Sequence, residues 1–517
     1  MVSRDRIAEI LYSGVWALFL FILAAVALLI VAKSGKLPFL VENFHADSYD
    51  TIYSVKAMSE YGLFGDVPVY SQPYHLFGNF PILFAMLASV INLFVDDVSL
   101  STTLLYWAVE LGIIAILWGD MLKKCDWRVR VAFVALFLFN IAFGNLFPLG
   151  FRKRQQLAVL LGLAMFYFEN RYLQAALSFA ALLAQPFTGA ALVFLKGADS
   201  LQKKDWAALA LLGISSMAAL PFYLGLASSL FQEPPLAGCG SLTYQDFAGF
   251  SLLLSLAFLS FYITNRSSKD LLFYSTVSLA LFFPVTLALY ALIKDFFSFQ
   301  MLYIRLASLP CNETLLQVAA IGAVVLVGLR GFRISRVTVS LFLIVVIISM
   351  SSLAAHLIIE SSVEPVYVGM FSILDAHNMS NVKTLHLVMT NYSGNAQTIP
   401  TFPFFPMLSY ALLSGRNTTF VDEFNLPPQL SKGGSNIPMS RIPLAIYESD
   451  TGACRDASRE LKASGVQALL YLVTYDFTTS PDRGRFVNET TLDACGLGVV
   501  SANTQSNGAS VLIYEVK

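Results

Sequence analysis

Two aspartates near the start of the chain have a spacing that suits acid–base chemistry. Asp47 and Asp50 lie in segment 33–75, a polar and acidic stretch that follows the first long apolar segment. If the stretch is helical, residues three apart share one face, so the two carboxylates act on the same side. Such a pair can take a proton from a hydroxyl group or bind a divalent metal ion. The alternative is that both side chains are only solvated.

Cations form a second group of candidate residues, and they are Arg152, Lys153, Arg154 and Arg305. The first three stand together before an apolar segment, and the fourth lies within a mostly apolar stretch. Cations at a membrane boundary either bind phosphate or anchor a helix end among the headgroups. Both interpretations of these residues remain open.

Three further side chains are candidates for substrate binding. Glu110 lies inside the apolar segment 100–119, where a carboxylate is costly and therefore suggests a function. His45 and His75 flank the loop that carries the aspartates. The ordinary expectation for a lone histidine in a loop is that it has no special role.

The composition requires a membrane environment for most of the chain. Of 517 residues, 56% are hydrophobic and 13% are charged, whereas soluble domains have about 25% charged residues. No long run of lysine and arginine is present, so a nucleic-acid partner is not expected. We therefore predict an α-helical polytopic protein in the cell membrane.

Apolar segments near the length of a membrane helix, about 20 residues, recur along the chain. They lie at 12–32, 76–95, 100–119, 131–149, 156–169, 206–230, 248–264, 271–293, 315–329 and 338–358. Segment 173–195 is interrupted by Gln185 and Pro186, which predicts a broken or re-entrant element. The first segment is too long for a signal peptide and is interpreted as a retained span. These patterns predict about 9–12 spans or re-entrant helices.

Orientation follows from the cationic loops, which favour the cytoplasm. Arg330, Arg333 and Arg336 separate the last two spans, so the chain after about residue 360 is predicted to be extracytoplasmic. The cationic residues of 123–130 also indicate a cytoplasmic loop. If segment 76–95 crosses the membrane completely, however, the number of spans before this loop places it on the outer side. Either 76–95 lies in the membrane interface, which we favour, or the loop at Lys123 breaks the rule.

Glycosylation acceptors and cysteines agree with this orientation. Five of the six Asn-x-Ser/Thr acceptors fall on the predicted outer side, at Asn312, Asn378, Asn391, Asn417 and Asn488. The sixth, Asn265, falls on the inner side and is interpreted as a chance match. Four of the five cysteines also fall there, where disulfides persist. We predict a disulfide between Cys454 and Cys495, whereas Cys239 and Cys311 are either paired or free.

The sequence divides into residues 1–359, a transmembrane domain, and residues 360–517, an extracytoplasmic α/β domain. Strand-like runs occur at 384–390, 444–448, 467–473 and 511–516. An amphipathic stretch, 456–464, ends at Gly465 before an apolar run, which predicts a helix followed by a strand. No catalytic motif is present in this domain, so the chemistry is expected in the first one.

The order of features in the first outer loop resembles that of the GT-C glycosyltransferases. The loop has an early Asp47, a Tyr61-Gly62-Leu63 step, and an aromatic-rich stretch that ends in Asn79-Phe80-Pro81 before an apolar segment. GT-C enzymes are multi-span proteins that use polyprenyl-phosphate-linked sugars. They include protein O-mannosyltransferases, aminoarabinose transferases and oligosaccharyltransferase catalytic subunits.

The resemblance implies roles for several candidates. It makes Asp47 the catalytic or metal-binding acid, and it makes Arg305 a contact of the donor phosphate. The implied partners are a polyprenyl-phosphate-linked sugar donor and a glycan or protein acceptor, with inversion at the sugar. The terminal α/β domain also recurs in the family.

The sequence departs from the family pattern at two places. Segment 147–156, where a second acidic residue is often found, contains only basic, amide and uncharged residues. This puts a metal ion held by two loops in doubt, and a divalent cation (Mg²⁺ or Mn²⁺) stays an open expectation. The Trp-Trp-Asp-Tyr-Gly signature is absent, so transfer of a whole oligosaccharide to asparagine is not expected.

The leading functional prediction is therefore a membrane glycosyltransferase in which Asp47 is the general base and Asp50 assists. One rival is a secondary transporter or lipid flippase, although no internal repeat of the kind transporters show is evident. A second rival is a catalytically inactive scaffold of the same architecture, because the second acidic site is missing.

Overall fold

The computed structural model describes residues 4–32, 46–65, 82–138, 153–223, 244–293, 313–359, 384–391, 417–419, 423–425, 446, 449–463, 465, 467–473, 488–504 and 510–517. For some residues in these ranges only the backbone is described. The chain forms two compact units, the first from Met1–Ser59 and Phe77–Ile358, and the second from Glu60–Leu76 and Ile359–Lys517.

The first unit is built from helices, most of them apolar, as the composition predicts, and the last two residues of its second helix belong to the second unit. Within the described ranges they are α1 (Arg4–Ala32), α2 (Ala46–Tyr61), α3 (Ile82–Val95), α4 (Val98–Ile114, continued by a π-helical Ala115–Met121), α5 (Trp127–Leu138), α6 (Lys153–Tyr167), α7 (Arg171–Ala184), α8 (Pro186–Gln202), α9 (Trp206–Ala219, then 3₁₀ Leu220–Tyr223), α10 (Tyr244–Asn265), α11 (Leu271–Ile293), α12 (Glu313–Gly328) and α13 (Arg336–Ile359). Aromatic rings fill its core, with Phe342 5.6 Å from both Phe133 and Phe258 between ring centroids.

Three helices are long and apolar enough to cross a membrane in the part of the chain that the structure describes. These stretches are Tyr12–Leu29, Leu100–Met121 and Trp206–Tyr223, and seven shorter apolar helices accompany them. The helix α3 has 14 residues, and residues 76–81 of the predicted segment lie outside the described part of the chain.

The predicted break at Gln185 and Pro186 is confirmed. Helix α7 ends at Ala184, Gln185 adopts an extended conformation with φ −160°, and Pro186 begins α8. Proline suits the first position of a helix because its missing N–H has no partner there anyway. The Gln185 side chain caps the new helix by accepting the backbone N–H of Thr188 at 2.7 Å. The two helices pack so closely that a Cβ on Gly189 would lie 2.6 Å from the Cα of Leu182.

Loops that the sequence assigns to the cytoplasm come together at one end of the first unit. The guanidinium carbons of Arg128 and Arg336 lie 5.3 Å and 6.0 Å from the ring centroid of Tyr12, near the start of α1. Asn265 exchanges hydrogen bonds with the backbone of Arg333 at 2.8 Å and 3.2 Å. We call this the cationic end, formed by the start of α1 and residues 122–130, 199–205, 265–270 and 329–336. Because the loop at Lys123 lies here with the others, the structure favours the interfacial alternative for segment 76–95.

A buried ion cluster joins three elements of the cationic end. Asp199 on α8, whose side chain is 4% exposed, accepts from Lys196 at 3.4 Å and from Lys203 at 3.1 Å. Arg330, just after α12, bonds Asp199 and also bonds Asp270, just before α11. One guanidinium therefore ties α8 to the loops beside α11 and α12. The sequence placed Lys196, Lys203 and Arg330 on this side but gave no sign that they share one carboxylate.

The electrostatics of the cluster favour an ionised Asp199. Burial raises the pKa of Asp199, but Lys196, Lys203 and Arg330 outweigh burial and leave the pKa below its ordinary value of 3.8. Burial lowers the pKa of the Lys196 ammonium, and Asp199 opposes that shift. A buried carboxylate with several cationic partners resists protonation. If those partners are lost, its negative charge is left uncompensated in the protein interior.

The second unit contains a mixed sheet with helices, which agrees with the predicted α/β class. Its described strands are β1 (Thr384–Asn391), β2 (Asn417–Thr419), β3 (Glu423–Asn425), β4 (Ala468–Val473), β5 (Leu497–Thr504) and β6 (Ser510–Val516), with helices α14 (Thr451–Ala463) and α15 (Glu489–Cys495). The strand order is β2-β1-β4-β6-β5, and β3 also pairs with β1. The strands β1 and β4 are parallel, and β6 runs antiparallel to both β4 and β5.

The sequence located parts of this domain well and missed others. Helix α14 is followed by Gly465 at φ +75° and then by β4, as the helix-to-strand pattern predicts. The predicted strand at 444–448 is wrong at Ile446, which is helical instead, and its carbonyl accepts the backbone N–H of Ser449 at 3.2 Å. The strands β2, β3 and β5 were not predicted, because β2 and β3 have three residues each and β5 lacks a clear alternation of apolar and polar residues.

Cys454 on α14 and Cys495 on α15 form a disulfide, with their Cα atoms 5.1 Å apart and 41 residues between them in sequence. This is the pair that the sequence analysis expected within one domain. Cys239 and Cys311 lie outside the described residues. Among the described cysteines, Cys125 is free and half-buried.

Removing this disulfide should destabilise the second unit. Closing a loop of this length is expected to stabilise the fold by about 2–4 kcal/mol. The Cys454→Ala/Cys495→Ala protein should therefore be cleaved faster in the second unit by a protease at a fixed temperature. Cys125→Ala serves as the matched control and should leave the cleavage rate unchanged. Equal cleavage of the double variant and the wild type would show that the bond contributes no stability.

Candidate active site

The two predicted catalytic aspartates lie on a helix. The helix α2 begins at Ala46, so Asp47 and Asp50 lie within its first turns. Backbone positions three residues apart on an α-helix fall on one face. The stretch is therefore helical, as required for the two carboxylates to share one face. Their side chains lie outside the described part of the structure.

Apolar contacts hold the second half of α2 on the helical bundle. Val55 is fully buried and belongs to the hydrophobic core of the first unit, and Met58 packs against that core. Ser54 and Ala57 are also buried. Burial of this segment fixes the helix axis, and the two aspartates precede the docked part by one to two turns. A rigid helix positions functional groups better than a free loop.

The direction of α1 shows that α2 follows the end of α1 opposite to the cationic end. From Tyr12, which lies at the cationic end, to Ala32 the helix α1 rises about 30 Å, which matches the hydrocarbon core at about 30 Å. The helix α2 follows α1 along the chain. Asp47 and Asp50 thus come after the end of α1 that is remote from the cationic end.

The basic cluster also belongs to the remote end. Lys153 and Arg154 are the first residues of α6, and Arg152 directly precedes the helix, outside the described residues. The amide of Gln156 donates to the carbonyl of Phe137 at 2.9 Å, which fixes the start of α6 beside the end of α5. The start of α5 carries Arg128, at the cationic end. The first turn of a helix also has a partial positive charge, so the start of α6 favours an anion.

Glu110 is buried in α4. It is 2% exposed, and within the described residues neither carboxylate oxygen has a hydrogen-bond partner of normal geometry. Tyr106, one turn earlier and also buried, interacts with the carboxylate. Near this turn α4 approaches α6 closely, because a Cβ on Gly112 would lie 3.1 Å from the Leu160 side chain. The structure thus places Glu110 between packed helices, and its role in substrate binding stays a prediction.

Several predicted site residues lie outside the described part of the structure. They are His45, His75, Arg152 and Arg305. Among the residues whose side chains are described, no group of three or more His, Cys, Asp and Glu side chains converges. The Asp47 side chain lies outside this set, so a divalent cation at Asp47 stays a prediction.

Sequence reasoning missed the acidic members of the ion cluster, Asp199 and Asp270. A signal was available in α8, where Lys196, Asp199 and Lys203 follow the i, i+3 and i, i+4 spacings that bring side chains together on a helix. Nothing in the spacing indicated Asp270 as the second carboxylate of Arg330.

Comparison with solved structures returns two membrane-enzyme names at low sequence identity. ArnT from Cupriavidus metallidurans matches in its apo state and bound to undecaprenyl phosphate, at 12% identity with TM-scores of 0.47 and 0.46, over 94% of this chain and 97% of ArnT. The arabinofuranosyltransferase AftD from Mycobacteria matches at 13% identity with a TM-score of 0.43, over 96% of this chain and 40% of its own length. No protein-family model and no curated protein sequence matches the chain.

Proposed function

We propose that the chain is a membrane glycosyltransferase that moves a sugar from a polyprenyl-phosphate-linked donor to an acceptor hydroxyl at the extracytoplasmic face. The observation that carries the proposal is α2, a helix that follows the first membrane helix, has two aspartates in its first turns and docks on the bundle through Val55. A carboxylate held on a docked helix at the membrane boundary suits a general base.

The proposed reaction assigns one role to each group. Asp47 accepts the proton of the acceptor hydroxyl while that oxygen bonds to the anomeric carbon of the donor sugar. The bond from the anomeric carbon to the phosphate oxygen breaks, the electron pair leaves with the phosphate, and the configuration at the sugar inverts. Asp50 assists by orienting the acceptor.

The departing polyprenyl phosphate gains negative charge, so fixed cations lower the barrier. Arg152, Lys153 and Arg154 supply them at the start of α6, where the helix terminus adds a partial positive charge. Arg305 is the further phosphate ligand that the resemblance implies. Arginine suits this role because its planar fork can hold two phosphate oxygens at once.

The test is transfer of radiolabelled sugar from polyprenyl-phosphate donors by the purified full-length protein in lipid. Time-dependent transfer to an acceptor, with release of the polyprenyl phosphate, supports the proposal. Movement of labelled lipid from one leaflet of a vesicle to the other, without transfer of sugar to an acceptor, would instead support a transporter or flippase. If neither occurs with any donor, an inactive scaffold is the better description.

Loss of the proposed phosphate ligands should weaken use of the donor. A hydrogen bond to a charged group is worth about 1.5–3 kcal/mol, so Arg305→Ala and Arg154→Ala should each reduce kcat/KM for the donor about 10- to 100-fold. Arg171→Ala is the matched control, because Arg171 is an exposed arginine that pairs with Asp205 at 2.9 Å at the cationic end. Equal kcat/KM values in all three variants would remove the proposed role of the cations.

A further inference from the structure

Two arginines from different helices approach one aromatic ring at the cationic end. Arg128, in the first turn of α5, and Arg336, the first residue of α13, lie 5.3 Å and 6.0 Å from the centroid of Tyr12 on α1. The Arg128 guanidinium also lies 5.5 Å from the ring of Trp127. Three helices that are distant in sequence thus meet around a single cationic site.

Both arginines are exposed, whereas Tyr12 beneath them is buried. Among the described side chains, neither arginine makes an ion pair with a carboxylate, in contrast to Arg330. The nearest acid in sequence, Asp126, accepts the backbone N–H of Arg128 at 2.8 Å and so caps the start of α5. Arg130 is engaged differently, because its Nε donates to the carbonyl of Cys125 at 3.1 Å.

The surroundings are those of a membrane–water boundary. Trp127, which is 52% exposed, packs on Trp16 with ring centroids 5.4 Å apart. Tryptophan and tyrosine concentrate at the level of the lipid headgroups. The cytoplasmic leaflet, to which the cationic loops assign this end, is also the leaflet that carries anionic lipid.

We propose that Arg128 and Arg336 bind the phosphate of an anionic phospholipid in the leaflet at the cationic end. The rings of Tyr12 and Trp127 hold the guanidinium groups in place, which leaves N–H donors of each for phosphate oxygens. The acyl chains of the lipid lie along the apolar surface below. This site is distinct from the donor-phosphate site, which belongs to the other end of the bundle.

The proposal is tested by titrating the full-length protein with phosphatidylglycerol in an uncharged detergent and counting bound lipids by native mass spectrometry. The uncharged detergent has no anionic headgroup of its own, so phosphatidylglycerol does not compete with detergent for the arginines. Arg128→Gln/Arg336→Gln should bind the first phosphatidylglycerol about tenfold more weakly than the wild type. Lys123→Gln/Lys124→Gln is the matched control, because it removes the same charge from exposed side chains of the neighbouring loop.

The results distinguish a specific lipid site at the two arginines from nonspecific attraction by all the cations of this end. Weakened binding in the arginine variant with unchanged binding in the lysine variant supports the site. Equal weakening in both variants, or in neither, overturns it. The wild-type protein should bind phosphatidylcholine more weakly than phosphatidylglycerol. If equimolar inorganic phosphate displaces phosphatidylglycerol, the ligand is a soluble anion and the lipid assignment is overturned. If Arg128→Gln/Arg336→Gln does not remain monodisperse, Arg128→Lys/Arg336→Lys takes its place, and it should bind several-fold more weakly because lysine lacks the planar fork.

Discussion

We expect the Asp47→Asn protein to transfer sugar about 10²- to 10⁴-fold more slowly than the wild type, the usual contribution of a general base. Asparagine keeps the size of the side chain but cannot accept the proton of the acceptor hydroxyl at neutral pH. The loss should fall on kcat and kcat/KM together, because the proton moves only in the transition state. The measurement is the initial rate of radiolabelled sugar transfer at saturating donor.

Two matched variants on the same helix make this test specific. Asp50→Asn should reduce the rate less, because Asp50 orients the acceptor and does not take its proton. Glu60→Gln removes a carboxylate from the exposed last turn of α2 and should leave the rate unchanged. Full activity in the Asp47→Asn protein would eliminate this aspartate as the base. The assignment of α2 to the active site would then have no support.

The second large effect is expected from Asp199→Ala. This change leaves Lys196 and Arg330 without their shared carboxylate, and the breaking of a buried ion pair costs about 3–5 kcal/mol. Lys196 suffers most, because it is 4% exposed and lies 5.3 Å from the ring of Phe166. The variant should therefore unfold at a lower temperature, and its half-life in detergent at a fixed temperature should be markedly shorter.

Lys203→Ala is the control for the buried cluster. Its side chain is 61% exposed although it reaches the same carboxylate, and exposed ion pairs are worth about 0–1 kcal/mol. We expect its half-life to stay close to that of the wild type. An Asp199→Ala protein as stable as Lys203→Ala would mean that the cluster does not hold the three elements together.

Local patterns in the sequence predicted local structure well. Gln185 and Pro186 indicated the break between α7 and α8, because proline starts a helix more readily than it continues one. Gly465 indicated the end of α14, because a left-handed conformation costs glycine little. In both cases one or two residues determine the outcome, and neighbours in sequence suffice to predict it.

Contacts between distant residues were beyond such patterns. Arg330 was predicted to be a cytoplasmic cation, but its bonds to Asp199 and Asp270 depend on how three helices pack. The same holds for Arg128 and Arg336, which meet at Tyr12 only after α1, α5 and α13 assemble. For the candidate active site, the sequence predicted Asp47 and Asp50 and the structure adds their helix, whereas the role of each side chain stays a prediction.

The position of Arg330 in the chain bears on how the protein is made. It lies 131 residues after Asp199, so a ribosome that has inserted α8 still has most of the remaining helices to synthesise. Until Arg330 emerges, Asp199 has only the lysines of its own helix as partners, and Asp270 lacks its cation. Helices that enter the bilayer one by one can therefore still shift against each other. A nascent chain that stops before residue 330 should stay exposed to quality-control proteases, whereas one that continues past α12 can close the bundle.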